Sequence, residues 1–293
     1  MVAINATHDP KLKSWVASAN VADTDFPIQN LPHGVFSVGG DAPRGGVAIG
    51  DQILDMKAAV AAGLFSGAAL DPAQAAPEPS LNRLMGLGLG PASALRARLS
   101  ALLAEGSADR AKVEPLLVPI AKATMHLPAQ IRAFTDFMTS AHHVAAERPG
   151  RPLRPLVECF KYLPIAYNSR ASSVTVTGRP VERPNGQYKT DAGPVVFAPS
   201  EKIDFELEFA FFVGKGNALG RPIRLDDAED HIAGYCLLND WSARDVQRWE
   251  SVLGPFQAKA FRSTFPPWVV TAEALAPFQG PAPEREAGDP APL

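Results

Sequence analysis

Two glutamates, Glu206 and Glu208, stand one residue apart in Ile203-Asp204-Phe205-Glu206-Leu207-Glu208-Phe209-Ala210-Phe211-Phe212-Val213. The alternation of this stretch reads as a β-strand, so side chains two apart share a face. Ile203, Phe205, Leu207, Phe209, Phe211 and Val213 fall on one side; Asp204, Glu206, Glu208, Ala210 and Phe212 fall on the other. The two glutamates are then roughly 6.6 Å apart along the strand. In water this spacing is harmless, and a half-exposed antiparallel strand with wetted glutamates accounts for the segment taken alone. In a closed cleft, at an effective dielectric of about 20, the pair repels by about 2.5 kcal/mol. A divalent cation would relieve that repulsion, and an all-oxygen donor set suits calcium or magnesium.

Other groups able to do chemistry lie far away in the chain. Asp136 is placed just before a helix expected over 139–147, with His143 seven residues on, two helical turns along one face. A carboxylate and an imidazole so spaced could look into one cleft; an N-terminal cap and an ordinary surface histidine fit equally, and His142 competes with His143. Asp240 ends an apolar strand expected over 234–238 and precedes a helix that opens at Ser242-Ala243-Arg244-Asp245 with capping-box spacing. Arg244 and Gln247, three apart, share a face of that helix. Arg248 and Glu250 read as solvated charges and Trp249 as core. Lys259 has no local pattern that singles it out. The sum is four carboxylates in three segments, one candidate base, and a set of cationic and amide groups: the material of a metal site.

The elements that must position these groups are short. A strand is expected over 34–38, and a hairpin over 44–55 turning at Gly50-Asp51. Residues 71–80 read as a loop. The clearest helix covers 91–105, where Leu95, Leu99, Leu102 and Leu103 form one stripe. A linker with three prolines follows over 109–129 and carries the domain boundary, giving domains 1–122 and 123–293. Further on, a strand is expected over 173–177, a turn at Pro184-Asn185-Gly186 and a short helix capped by Asp226-Asp227.

The chain has 293 residues, 46% of them hydrophobic and 20% charged, with a formal net charge of −3. That balance gives no electrostatic reason to expect nucleic acid or an anionic membrane. Two cysteines, Cys159 and Cys236, form neither a disulfide framework nor a metal-binding spacing, which fits a reducing compartment. No apolar run reaches membrane-spanning length, and the N-terminus lacks the apolar core of a signal peptide, so a cytoplasmic protein is expected. The 28 prolines, about twice the usual share, favour loops and short strands over long helices.

Several segments together resemble the fumarylacetoacetase family. They are Phe134-Thr-Asp136-Phe, His143, Tyr167-Asn-Ser-Arg170-Ala-Ser-Ser-Val174, Arg183-Pro-Asn-Gly186-Gln187, Glu206-Leu-Glu208-Phe-Ala-Phe-Phe-Val213-Gly214, Asn239-Asp-Trp-Ser-Ala-Arg244-Asp-Val-Gln247-Arg-Trp249-Glu250, Leu253-Gly-Pro-Phe256 and Lys259. The Asn-Asp-Trp-Ser-Ala-Arg-Asp run is the most specific of them. The resemblance implies a mostly β, α+β chain: a small SH3-like barrel followed by a mixed-β catalytic domain. It implies hydrolysis of a carbon–carbon bond in a β-diketo acid, 4-fumarylacetoacetate giving fumarate and acetoacetate at the end of tyrosine and phenylalanine breakdown. It assigns Asp136, Glu206, Glu208 and Asp240 as ligands of Ca²⁺ or Mg²⁺, His143 as the base, Arg244, Gln247 and Lys259 as catalytic groups, and Tyr167 with Arg244 and Gln247 as substrate contacts. It also implies a homodimer.

Four departures bear on that expectation. Met138 and Ser251 stand where the family usually has substrate-binding tyrosines, and Arg262-Ser263 stands where Gly-Thr lies beside the metal. The family's catalytic domain is expected to continue past residue 293, with further strands and a glutamate that orients the base. The readings left open are the hydrolase itself, a related enzyme acting on acylpyruvates or hydroxydienoates, and a catalytically silent protein that binds metal or ligand.

Overall fold

The computed structural model describes residues 3–140, 158–281, 284 and 288–290. Near the N-terminus β1 (His33–Ser37), β2 (Arg44–Ile49) and β3 (Gln52–Asp55) run antiparallel, with the turn at Gly50-Asp51 as expected. Gly50 has a φ of +55°, and a Cβ there would lie 2.3 Å from Ser18 Oγ, so backbone hand and space both require glycine. The expected linker contributes two more strands: β4 (Leu117–Pro119) pairs with β3, and β5 (Thr124–His126) pairs with β1.

The helix expected over 91–105 runs Leu89–Leu103, and all four leucines of its stripe are buried in the largest apolar cluster, with Val47, Ile49 and Leu54. Arg96 is buried beside them. Its guanidinium donates to the carbonyls of Asn30 and Gln29 and to Thr7 Oγ1, which satisfies a charge that would otherwise be expensive to bury. The loop expected over 71–80 is partly a helix, Leu70–Ala75. Pro72 sits in its first turn, where no N–H is needed, and the buried Ala73 and Ala75 join the core, so packing overrides the proline signal.

The second half supplies β6 (Thr135–Phe137) paired with β7 (Ala166–Asn168), β8 (Val174–Val176), the hairpin β9 (Asn185–Lys189) with β10 (Val195–Pro199), β11 (Ile203–Val213), β12 (Ile232–Ala243), β13 (Ser263–Phe265) and β14 (Trp268–Thr271). Among the described residues a ten-stranded mixed sheet runs β4-β3-β2-β1-β14-β12-β13-β8, with β5 beside β1 and β11 beside β12. One edge of β12 carries β11 along nearly its whole length; the other is shared by β14 at Gly234-Tyr235 and β13 at Asn239-Asp240. β14, paired with β1 on one side and β12 on the other, is therefore the strand on which the two halves meet.

Several local expectations give way here. The turn expected at 184–186 opens β9 instead, and a Cβ on Gly186 would lie 2.7 Å from a Val246 methyl: the glycine serves close packing. β12 continues through Asp240 to Ala243, so Asp240 lies within a strand. No capping box forms; Ser242 Oγ donates to the Asp240 carbonyl. Trp249 is 44% exposed and is not core. The helix expected over 139–147 lies largely outside the described residues. None of the described helices is long and apolar enough to cross a membrane.

Candidate active site

The β11–β12 register sets Glu206 opposite Asp240 and Glu208 opposite Leu238. Residues directly opposite in an antiparallel pair project to one face, so Asp240 joins both glutamates. The wetted-glutamate reading of β11 is reversed in the structure. Glu206, Glu208, Ala210 and Phe212 are partly buried, whereas Phe205, Leu207, Phe209, Phe211 and Val213 face outward. The glutamate face is covered because Phe212 and Ala210 pack on the cluster of Val174, Cys236, Leu238 and Phe265, and the polar residues beside them are drawn in too.

Asp136, on β6, meets Glu208 and Asp240 there. Each of the three offers a carboxylate oxygen, and those atoms lie within 4.8 Å of one another. Asp240 is fully buried and Asp136 nearly so. Burial, and then the charges of Asp136, Asp240 and Glu206, push the Glu208 carboxyl up to about 8 despite the opposing charge of Lys259. Burial likewise raises Asp240 above the usual carboxylate range. Three carboxylates cannot all ionise at this distance without a compensating charge. Close-set hard oxygen donors, one fully buried, fit a divalent cation. Tyr167 donates its hydroxyl to Asp136 Oδ2, and burial followed by that bond raises the phenol well above its ordinary value, so it stays a donor. Ser263 Oγ donates to Asp240 Oδ1 at 2.9 Å, orienting the buried carboxylate from β13.

The cations line up on the other side. The short helix Phe256–Lys259 delivers Lys259, buried, with Nζ 2.5 Å from Glu206 Oε2 and 3.0 Å from Asp240 Oδ2. The helix Arg244–Glu250 delivers Arg244, which donates from Nη2 to Glu206 Oε1, from Nε to Asp204 Oδ2 and from Nη1 to Gln247 Oε1, each at 2.8 Å. Burial works to raise Glu206, but the hydrogen bonds and charges of Lys259 and Arg244 outweigh it and hold the carboxyl below its ordinary value. So the two glutamates of one strand are driven apart in protonation: Glu206 is neutralised by protein cations and Glu208 is left crowded by carboxylates.

Of the four expected ligands, Asp136, Glu208 and Asp240 form the cluster, while Glu206 is engaged by Lys259 and Arg244. Tyr167, Arg244, Gln247 and Lys259 all converge with them. His143, the expected base, lies outside the described residues. Met138 is exposed, with its N–H donating to the Ile165 carbonyl, and Ser251 is exposed, its Oγ donating to the Arg248 carbonyl.

Three further carboxylates matter that their sequence neighbourhoods did not single out. Glu250, read as a solvated charge, accepts from the N–H groups of Gln257 and Ala258 and so caps the helix that carries Lys259. Asp245, read as part of a capping box, accepts from Ser200 Oγ, Glu201 N and Val246 N, stapling the approach to β11 onto the helix of Arg244. Asp204, on the glutamate side of β11, holds Arg244. The acidic residue near each cationic arm was a usable signal, but which of them turns inward depends on long-range pairing.

Two family models match the chain: Fumarylacetoacetase N-terminal over residues 29–128 and Fumarylacetoacetate (FAA) hydrolase C-terminal over residues 133–282. Fumarylacetoacetases of Rattus norvegicus and Homo sapiens are each 47% identical over 283 residues, covering 92% of this chain and 66% of theirs. That of Caenorhabditis elegans is 48% identical over 280 residues, covering 91% and 66%. The chain thus spans about two thirds of the length of these curated relatives. Among solved structures, the fumarylacetoacetate hydrolase of Exiguobacterium antarcticum matches with a TM-score of 0.46 at 18% identity, over 82% of this chain and 66% of that one. The matched models, their order along the chain and the near-half identity over nine-tenths of it agree: the chain belongs to the fumarylacetoacetate hydrolase family.

Proposed function

We propose that the cleft hydrolyses a carbon–carbon bond in a β-diketo acid, with 4-fumarylacetoacetate as the substrate that the 41–48% identical relatives named fumarylacetoacetase favour. The observation that carries the reading is the split cleft: three crowded carboxylates on one side, two protein cations on the other. Asp136, Glu208 and Asp240 would hold the metal, Ca²⁺ or Mg²⁺ by their oxygen-only donors, and the ion supplies Lewis-acid polarisation of a ketone oxygen.

The reaction needs water to add to a ketone carbon while the bond to the neighbouring carbon breaks. The electron pair leaves with that neighbour, which then takes a proton, so a carboxylic acid and a shorter ketone result. A carbon leaving group is poor, and stabilising its charge is the main demand. Lys259 and Arg244 set two positive charges beside the cleft for that purpose. The amide of Gln247 adds a donor, and the protonated Tyr167 adds another near the carboxylate cluster. Removing a proton from water near neutral pH suits a histidine, and family resemblance gives that task to His143. The reading places the protein in tyrosine and phenylalanine breakdown, in the cytoplasm, as a homodimer.

Loss of the diketo acid's absorbance on adding the purified chain tests this. Turnover should require a divalent ion and vanish in Glu208→Gln. Undiminished rates in chelator, or in that variant, would remove the assignment. A panel with acylpyruvates and hydroxydienoates separates the hydrolase from its relatives, because Met138 and Ser251 alter two substrate-facing positions by family resemblance.

A further inference from the structure

Arg244 is gripped from three sides by the protein itself. Its Nε donates to Asp204, one Nη2 hydrogen to Glu206 and one Nη1 hydrogen to Gln247 Oε1. Its main-chain N–H donates to the Lys202 carbonyl at 2.8 Å, which fixes the root of the side chain as well. Glu206 is part of the cleft and Gln247 shares the helix of Arg244, but Asp204 has neither excuse. It stands near the start of β11, its side chain about half exposed, and it is absent from the cluster of Asp136, Glu208 and Asp240.

We propose that Asp204 is a positioning residue which, through Arg244, fixes the face of the Gln247 amide that the cleft meets. A guanidinium is planar, with its donors in a rigid fork. Carboxylates two residues apart on one strand face take its Nε and Nη2 hydrogens and so set the plane, leaving an Nη1 hydrogen aimed at Gln247. Arginine can only donate, so it must meet the amide oxygen. The NH₂ end of Gln247 is thereby kept as a donor directed away from Arg244. Without the second carboxylate the guanidinium can pivot about its bond to Glu206, and the amide loses the partner that decides which end it shows. Glu206 alone cannot replace Asp204, because one of its oxygens is held by Lys259 at 2.5 Å.

This inference rests on the hydrolytic reading, in which negative charge develops on oxygen and only the NH₂ end of Gln247 helps. In kinetics with the diketo acid, Asp204→Ala should lower kcat about 10- to 100-fold, the usual range for losing an outer partner of a site group. KM should change less than about 3-fold, and Asp204→Glu should recover most of the loss. In a Gln247→Ala background the Asp204→Ala loss should shrink to the part that passes through the Arg244 charge alone, since the rest acts through one amide. Equal kcat in Asp204→Ala, or a loss that simply adds to that of Gln247→Ala, overturns the proposal. If the unaltered chain turns over no diketo acid, the hydrolytic reading fails, and the positioning claim is judged by nuclear magnetic resonance instead. The Gln247 side-chain amide signal, assigned by its absence in Gln247→Ala, should shift or broaden in Asp204→Ala and stay put in the exposed Lys189→Ala. An unmoved signal in Asp204→Ala overturns the claim on its own.

Discussion

Leu99 and Leu207 are the same residue type in opposite situations. Leu99, on the helix Leu89–Leu103, is fully buried among the strands of the N-terminal half, whereas Leu207, on β11, is 72% exposed. The contrast extends to their surroundings. Around Leu99 lie Val47, Ile49, Leu54, Leu95, Leu102 and Leu103, all closed to solvent. Around Leu207 lie Phe205, Phe209, Phe211 and Val213 on β11 and Leu237 on β12, all about half exposed or more, with Phe209 stacked on Tyr235 at 4.9 Å. The first region is organised by apolar packing. The second turns its polar face inward and is organised by ion pairs and hydrogen bonds. A sheet face that hides carboxylates needs those carboxylates paired, and Lys259, Arg244, Tyr167 and Ser263 meet that need for Asp136, Glu206 and Asp240.

Four measurements would break or sharpen this comparison. The largest effect should come from Leu99→Ala, costing about 3 kcal/mol in denaturant unfolding as a buried leucine truncated in a packed core; a cost under about 1 kcal/mol would show that the N-terminal core is loose. Asp245→Ala should cost about 2 kcal/mol, because Ser200 Oγ and two main-chain N–H groups lose their acceptor together. If it costs no more than an exposed substitution, polar stapling is not what holds the second region.

The third is graded with pH. Glu208 holds a proton in the folded chain up to about 8, but in the unfolded chain only to its ordinary 4.5. Its contribution to stability is therefore present below 4.5 and lost as pH rises towards 8. His33 acts oppositely: burial, and then Arg96, lower it from 6.5 to about 4, so stability grows between those two values. From pH 6.5 to 8 the His33 effect is complete, while Glu208, with the raised Asp240 acting in the same direction, remains, and the metal-free protein should lose stability there. A divalent ion should flatten the slope; a slope of the same size with and without the ion would separate Glu208 from the cation site. The smallest effect should be that of Leu207→Ser, within about 0.5 kcal/mol of the parent, accompanied by reduced binding of a hydrophobic dye. A loss near that of Leu99→Ala would mean that the outer face of β11 is covered in solution.

Much of the fold was legible. The period of Leu95, Leu99, Leu102 and Leu103 gave the long helix, Gly50-Asp51 gave the hairpin turn, and β11 runs over the residues its alternation predicts. Local signals failed where tertiary packing decided. The helix Leu70–Ala75 looked like a loop because its prolines and small residues say nothing of the core they press on. Alternation told that β11 has two faces, but it could not tell which one is inside; strand pairing and the Phe212 contact decide that. In the site, Asp136, Glu208 and Asp240 were found as candidate ligands and do meet. Asp245 and Glu250 stayed hidden because their partners, Ser200 and Gln257-Ala258, are set by turns that no short-range pattern encodes.

β14 lies between β1 and β12, and Glu273 accepts a hydrogen bond from Asn5, 268 positions earlier in the chain. A ribosome therefore releases β1 long before the strand that flanks it exists. The first half cannot finish its sheet until Trp268–Thr271 has left the exit tunnel, so the nascent polypeptide must wait with His33 and Gly34 of β1 lacking the strand that later pairs with them, while β5 already covers Val35–Ser37. Closure by such distant segments is slow, and this is the interval in which a chaperone would have most to protect.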